Sequence, residues 1–334
     1  MSTTANVSLG NVGKIDRVNE MASATESPTL SGLLVIDKPA HRTSHDVVQW
    51  VRRRLGVRRV GHTGTLDPLA TGVLVLCVGQ ATRLAEYLSA SRKAYLTEVV
   101  FGIETDTLDI TGKVLRERDA GHLTAEALKP ILKRFCGLIQ QVPPMVSAKR
   151  HQGRRLYDLA REGQVVERAP QTVQIERLEL LDFRAGDHPV AKLEVVCSSG
   201  TYIRSLAEDL GAALEVGGTM QSLRRVWVGA DEQHAFTLEQ AVTLDVLETK
   251  IVEGKLQEVL LPPIVAMAGR PHVVLSELQV QRIRHGQAVP LSALEPMQLA
   301  SPNEFVALLD ADGNFIGVGR IEESRLQPVK VLHL

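Results

Sequence analysis

Apolar and polar positions along this chain fall into short blocks whose spacing predicts its elements one by one. Leu33–Ile36 is an apolar run closed by a Lys38-Pro39 turn and reads as a strand. Ser44 then stands where a helix N-cap belongs, ahead of Val47, Val48, Val51 and Leu55 at helical spacing. Val73–Val78 is uninterrupted and β-branched, the pattern of a buried strand. Ala81–Ser89 reads as a short helix, and Tyr95–Phe101 as a strand with alternating faces. Thr124–Phe135 is a second helix that Pro130 should kink or break. Gln140–Lys149, with its paired prolines, reads as a connection to a helix around Arg155–Arg161. Residues 173–182 and 190–197 alternate as strands, and Ile203–Leu214 is helical behind Gly200-Thr201. Strands and helices mix without regular βαβ repetition. The expected class is therefore α+β with a mixed, antiparallel sheet, not a doubly wound one.

Leu260-Leu261-Pro262-Pro263 marks a boundary. Beyond it, Val273–Leu275, Ala288–Leu291, Phe305–Leu309, Phe315–Val318 and Val329–Leu332 are short strands between turn residues, which predicts a small β-barrel module. The expected organisation is an extension over residues 1–30, a main domain over 31–262 and a small domain over 270–334.

Composition sharpens this picture in three places. Residues 1–30 are rich in Ser, Thr, Ala and Asn with no apolar h-region, so a disordered tail is expected and not a signal peptide. No stretch reaches the ~20 apolar residues of a membrane span. Cys77, Cys136 and Cys197 fit no metal spacing and read as reduced thiols of a cytoplasmic protein. The net charge of −1 conceals a split: residues 31–165 carry 21 Lys+Arg against 13 Asp+Glu, and residues 166–334 carry 15 against 23. Arg52-Arg53-Arg54 with Arg58-Arg59, and Lys149-Arg150 with Arg154-Arg155, form basic clusters of the kind that grip a phosphate backbone.

The chemistry concentrates in Gly61-His62-Thr63-Gly64-Thr65-Leu66-Asp67-Pro68-Leu69-Ala70-Thr71-Gly72. One carboxylate is framed by glycines that permit unusual backbone conformations and by a proline that fixes the chain after it. An ordinary Asp-Pro turn is the competing reading for that acid taken alone. The acidic positions Glu104, Asp106 and Asp109 lack the spacing and glycine of a calcium loop, and read as capping or turn residues. No Walker A segment, Rossmann fingerprint or Ser-His-Asp arrangement is visible.

The twelve-residue segment resembles the catalytic segment of the TruB-type pseudouridine synthases, G-H-T-G-x-L-D-P-x-A-x-G. The resemblance continues through Gly32–Pro39, Lys93-Ala94-Tyr95, Gly102–Asp109, Gln141–Lys149, Gly200-Thr201-Tyr202-Ile203-Arg204 and Leu223-Arg224-Arg225, in the family's order over about residues 31 to 230. Gly313–Gly319 resembles the closing hairpin of a PUA domain, the RNA-binding appendage of this family.

The resemblance implies isomerisation of a T-loop uridine, position 55, of transfer RNA. That reaction breaks the C1′–N1 bond and rejoins C5 to C1′, so it needs no metal or organic cofactor, only one ionised carboxylate. By the same resemblance Asp67 is the catalytic acid, paired with Arg204. Tyr95 lies under the flipped base and counts with them as catalytic, and Tyr202 is a second substrate-contacting tyrosine. Leu223 forms the apolar wall, and His62 inserts into the RNA loop. Lys38, in the family's K-P turn, counts among the substrate-contacting residues. The expected partner is the T-arm of tRNA, with no membrane and no obligate protein partner, and a monomer is the default. Two rivals carry over: a guide-RNA-dependent relative within a ribonucleoprotein, and a tRNA-folding chaperone without chemistry. The basic Gln141–Tyr157 stretch favours the stand-alone enzyme, and the intact Asp67, Tyr95 and Arg204 argue against a chaperone alone.

Overall fold

The computed structural model describes residues 30–147, 149–294 and 303–334. The expected tail over residues 1–30 thus lies outside the described residues except for Leu30.

Nine strands form the central sheet. Its main order is Gly32–Lys38, Thr71–Val78, Gly218–Gly229, Arg92–Phe101, Val190–Cys197, Gln171–Arg184 and Gly137–Gln141, with Val60–His62 and Ala235–Thr237 pairing at the side. Every pair is antiparallel except Gly218–Gly229 against Thr71–Val78, which run parallel at Arg224↔Thr71 and Arg225↔Gly72. This is the mixed sheet of the expected α+β class.

The antiparallel pair Gly32–Lys38 and Thr71–Val78 shows why both strands carry uninterrupted apolar runs. Leu34, Ile36, Leu74 and Leu76 enter one core, while Leu33, Val35, Val73, Val75 and Cys77 enter a second core on the opposite face. A strand covered on both faces loses the polar alternation of a half-exposed one. Helices Ser44–Leu55, Ala125–Arg134 and Ile203–Ala213 cover the first face. Ala81, Leu84, Phe236, Ala266 and Met267 belong to the core on the second face, and Ala307, Phe315, Val318 and Leu332 of the C-terminal module join that same core.

Several local expectations are corrected. The cap of the first helix is Thr43, not Ser44: Thr43 accepts from Asp46 N at 3.0 Å, and Asp46 accepts from Thr43 N at 2.8 Å, closing a capping box. Pro130 neither breaks nor ends the Ala125–Arg134 helix. It is solvent-exposed, where water can serve the carbonyl it leaves without an intrahelical donor. The Ala81–Ser89 segment divides into a 3-10 turn over Gly79–Leu84 and a helix over Ala85–Ser89. Gln140 and Gln141 lie in an edge strand, not in the connection. Cys77 and Cys197 are buried, and burial pushes their thiols up to about 12 and 11, whereas Cys136 is exposed.

The C-terminal module is a five-stranded half-barrel, ordered His272–Val274, Phe305–Leu309, Phe315–Glu322, Arg325–Val331 and Val289–Pro290. A helix over Glu277–Arg284, unforeseen from the sequence, packs Val280 and Ile283 into its core. The module is PUA-like, as expected. Lys330 Nζ lies 3.0 Å from Glu86 Oε1, and His333 N donates to Gln80 Oε1 at 3.0 Å, which ties its last strand to the segment before Ser89.

Candidate active site

The Asp67 loop joins strand Val60–His62 to strand Thr71–Val78 and is fastened from three sides. The Ser44 hydroxyl accepts from Leu66 N at 2.8 Å and donates to Leu66 O at 3.1 Å. Pro68 O accepts from His41 N at 2.8 Å and from Lys38 Nζ at 3.4 Å. Ala70 N donates to Asp67 O at 3.1 Å, closing the turn. At the exit, Gly72 has φ +99° and lies so close to the parallel strand that a Cβ would stand 2.1 Å from Arg225 O. No other residue type fits there.

Arg204 reaches this loop from the second position of the Ile203–Ala213 helix. Its Nε lies 3.0 Å from Asp67 Oδ2, and its Nη2 donates to Asp67 Oδ1 at 3.2 Å, a two-point grip. The remaining donors are used as well: Nη2 donates to Val146 O at 2.6 Å and Nη1 to Thr107 O at 3.2 Å. Asp109 stands behind, its Oδ2 3.8 Å from Arg204 Nη1. Asp109 itself accepts from the Thr107 hydroxyl and Thr111 N, both at 3.0 Å. It is thus a turn-forming acid that also faces a cation, in line with its reading from sequence. Among the described residues no three His, Cys, Asp or Glu side chains group as metal ligands.

The pair is asymmetric in exposure. The Arg204 side chain is 5% exposed, while Asp67 keeps 32% open. Burial raises the Asp67 pKa, Arg204 opposes that rise, Asp109 adds to it and Lys38 opposes it. One carboxylate thus presents a free edge while an arginine favours its charged form.

Asp67 lines a cavity of about 410 Å³ together with Arg204, Tyr95, Tyr202, Leu223 and His62. These six sequence-predicted residues come from four separate segments of the chain. Tyr95 and Leu223 lie on the neighbouring strands Arg92–Phe101 and Gly218–Gly229 and are 7% and 8% exposed. Burial also raises the Tyr95 pKa, with Arg225 opposing. Tyr202 is the N-cap residue of the Arg204 helix. Gln141 holds its backbone from both sides, accepting from Tyr202 N at 2.9 Å and donating to Tyr202 O at 3.2 Å.

Lys38 is the exception among the sequence-predicted residues, because the structure places it away from the cavity. It is fully buried, does not line the cavity, and donates to Pro39 O at 2.9 Å and Arg42 O at 2.6 Å besides Pro68 O. Its side chain fastens the loop after Asp67 from inside the protein.

Sequence reasoning passed over Ser44, Gln141, Lys93 and Arg225 as site residues. Lys93 and Arg225 line the cavity while 6% and 2% exposed. Both fall inside segments already marked by the resemblance, so the signal was present. A buried lysine or arginine looks like a surface one when only the sequence is read.

Both basic clusters are partly spent on the protein itself. Arg52 Nη2 donates to Val60 O at 3.1 Å, and Arg54 pairs with Glu248 at 3.0 Å. Arg154 pairs with Glu162. Arg53, Arg58 and Arg59 stand exposed.

A mixed sheet carrying one arginine-held carboxylate at a deep cleft is the frame of a pseudouridylate synthase, and the sequence places it in that class. Residues 52–203 match the TruB family pseudouridylate synthase N-terminal domain, residues 204–266 the tRNA pseudouridylate synthase B C-terminal domain, and residues 271–332 the pseudouridine synthase II TruB C-terminal domain. The chain belongs to the TruB family. It is 51% identical over 270 residues to the tRNA pseudouridine synthase B of Symbiobacterium thermophilum, covering 81% of this chain and 85% of the relative. It is 42% identical over 308 residues to that of Saccharophagus degradans, covering 91% and 96%. The fold also matches a solved H/ACA ribonucleoprotein bound to a substrate RNA containing 2′-deoxyuridine, with TM-score 0.68, 22% identity, and 91% and 85% coverage. A Cbf5-Nop10-Gar1 complex matches with TM-score 0.68, 25% identity, and 90% and 84% coverage.

Proposed function

We propose that this chain converts the uridine at position 55 in the T-loop of transfer RNA to pseudouridine, with Asp67 as the reacting carboxylate. The observation that carries the reading is the Asp67–Arg204 pair, open on one edge to a cavity walled by Tyr95, Tyr202 and Leu223, in a member of the TruB family. Transfer RNA is the substrate because relatives at 42–51% identity bear the name tRNA pseudouridine synthase B.

A base inside a folded loop is out of reach, so the nucleotide must leave its stack and enter the cavity. Tyr95 gives the flipped ring a flat surface, Leu223 an apolar wall, and Tyr202 a second aromatic contact. His62, on the loop's own strand, supports the rearranged RNA. Asp67 acts on the sugar, and Arg204 holds its carboxylate ionised and aimed. The half-barrel and the exposed Arg53, Arg58 and Arg59 supply RNA affinity. A monomer acting in the cytoplasm without a protein partner is the matching cellular picture. Among the described residues no helix is long and apolar enough to cross a membrane.

The guide-dependent reading rests on the ribonucleoprotein neighbours, whose identity to this chain is 22–25%. Incubating purified protein with an unmodified tRNA transcript and no guide RNA tests both readings. Pseudouridine at position 55, lost in Asp67→Asn with tRNA binding kept, is the expected result. Absence of product without a guide sinks the stand-alone reading, and product from clean Asp67→Asn protein removes Asp67 from the chemistry.

A further inference from the structure

Two cations in the cavity have charges that no role above uses. Arg225 runs beneath the Asp67 loop, where its Nε donates to Val73 O at 2.7 Å and its Nη2 to Gly64 O at 3.0 Å. Lys93 Nζ donates to Ser89 O at 2.8 Å and to Ser91 O. An ammonium has three N–H groups, and among the described residues the third of Lys93 has no acceptor. The two side chains meet at Gly64: a Cβ there would stand 3.4 Å from Arg225 Nη1 and 3.9 Å from Lys93 Cε.

Neither cation has a carboxylate partner among the described residues, whereas Asp67 and Asp109 both lie against Arg204. Beside Lys93 the Cys197 thiol is kept neutral by burial. Burial, reinforced by Arg225, pushes Lys93 down to about 8. Two buried and unpaired positive charges are costly unless something negative visits them.

The proposed reaction makes such a visitor. When C1′–N1 breaks, its electron pair leaves with the base, giving a uracil anion spread over N1, O2 and O4. The sugar is compensated either by a bond from Asp67 to C1′ or by loss of a C2′ proton to Asp67. Joining C5 to C1′ breaks the Asp67–C1′ bond on the first route, or is accompanied by return of the proton from Asp67 to C2′ on the second, and moving the C5 proton to N1 completes the isomer with no atom gained or lost. Resting on the functional reading above, we propose that Lys93 and Arg225 form a cationic floor that stabilises the uracil ring while it is detached and negative. Arg225 also positions Gly64, so Lys93 is the cleaner probe of the charge.

The test compares Lys93→Gln with wild type on tRNA carrying uridine or 5-fluorouridine at the target position, following single-turnover consumption of that nucleotide. The amide keeps two N–H donors for Ser89 and Ser91 but carries no charge, and thermal melting checks that the fold is kept. Fluorine makes the detached base a weaker base that needs less help from a cation. The expected result is a loss of about 100-fold on uridine and a clearly smaller loss on 5-fluorouridine, with Kd for tRNA unchanged. Lys93→Arg should recover part of the rate on uridine. Equal losses on both substrates overturn the proposal and leave Lys93 a cap on local carbonyls, and no loss at all overturns it too. If Lys93→Gln unfolds, the Lys93→Arg rates on the two substrates decide: a fluorine dependence unlike that of wild type overturns it. Wild-type inactivity on uridine tRNA would instead sink the functional reading, which keeps the two failures apart.

Discussion

Arg204 holds Asp67 by two nitrogens, Nε at 3.0 Å from Oδ2 and Nη2 at 3.2 Å from Oδ1, while its Nη1 and Nη2 also bind the carbonyls of Thr107 and Val146. A guanidinium fork satisfies all these acceptors at once, and an ammonium cannot. Arg204→Lys is therefore expected to lower single-turnover pseudouridine formation by about 100-fold, with tRNA affinity near wild type. Activity within a few-fold of wild type would show that one positive charge suffices.

The same pair sets the acid limb of the pH profile. Asp67 has a raised pKa, and Arg204 is the chief influence lowering it. Activity needs the charged form, so it falls as pH drops through the Asp67 pKa. Removing Arg204 takes away a lowering influence, and in Arg204→Gln the residual kcat/KM should lose its acid limb at higher pH than wild type does. An unmoved limb would assign it to another group.

Lys38 predicts a stability signature with a definite sign. Burial holds it at about 8 in the folded protein against the ordinary 10.5. Between those pH values the unfolded chain binds more protons, so this residue's contribution to stability rises with pH. The urea stability of wild type relative to Lys38→Met should grow from pH 8 to pH 10, by about 3 kcal/mol at most. A difference that stays flat would mean Lys38 titrates alike in both states.

The C-terminal half-barrel shares a core with the paired strands Gly32–Lys38 and Thr71–Val78. Removing residues 270–334 would take Ala307, Phe315, Val318 and Leu332 out of the core that also holds Val35 of the first strand and Val75 and Cys77 of the strand that leads out of the Asp67 loop. A large fall in melting temperature and loss of turnover are expected, beyond any loss of tRNA affinity. Phe315→Ala in the full chain should cost about 3 kcal/mol by urea unfolding. A truncated protein that melts like wild type would show that this shared core does not support the catalytic sheet.

RNA grip should divide the basic cluster after Val51. Arg53, Arg58 and Arg59 are exposed, whereas Arg52 and Arg54 are engaged with Val60 O and Glu248. Replacing the three exposed arginines with Gln should flatten the dependence of log Kd on log salt, since each phosphate contact adds to that slope. Arg54→Gln should leave the slope nearly unchanged. Equal effects from the two variants would contradict this division.

Hydrophobic periodicity along the chain was enough to place most central strands, the Ser44–Leu55 and Ile203–Ala213 helices and the α+β class. Those elements bury continuous apolar stripes, and burial is written into residue type. The segments that bring Asp67, Arg204, Tyr95, Tyr202, Leu223 and His62 to one cavity were legible as ordered motifs in the sequence. The ends of elements were less legible. Thr43 and Ser44 are both competent caps, and which one caps was decided by Leu66, whose backbone engages the Ser44 hydroxyl.

Tertiary structure alone decided the role of the buried cations. Lys38, Lys93 and Arg225 are long, charged residues that sequence assigns to the surface or to substrate. Their neighbours are carbonyls from segments up to 161 residues away, as between Arg225 and Gly64. Nothing local to a lysine records whether its ammonium meets water or an inward-turned loop. The union of the half-barrel with the paired strands Gly32–Lys38 and Thr71–Val78 was hidden for the same reason. Val35 and Val75 read as buried from their own strands, but that Phe315 and Leu332 join their core becomes known only once the chain has folded back.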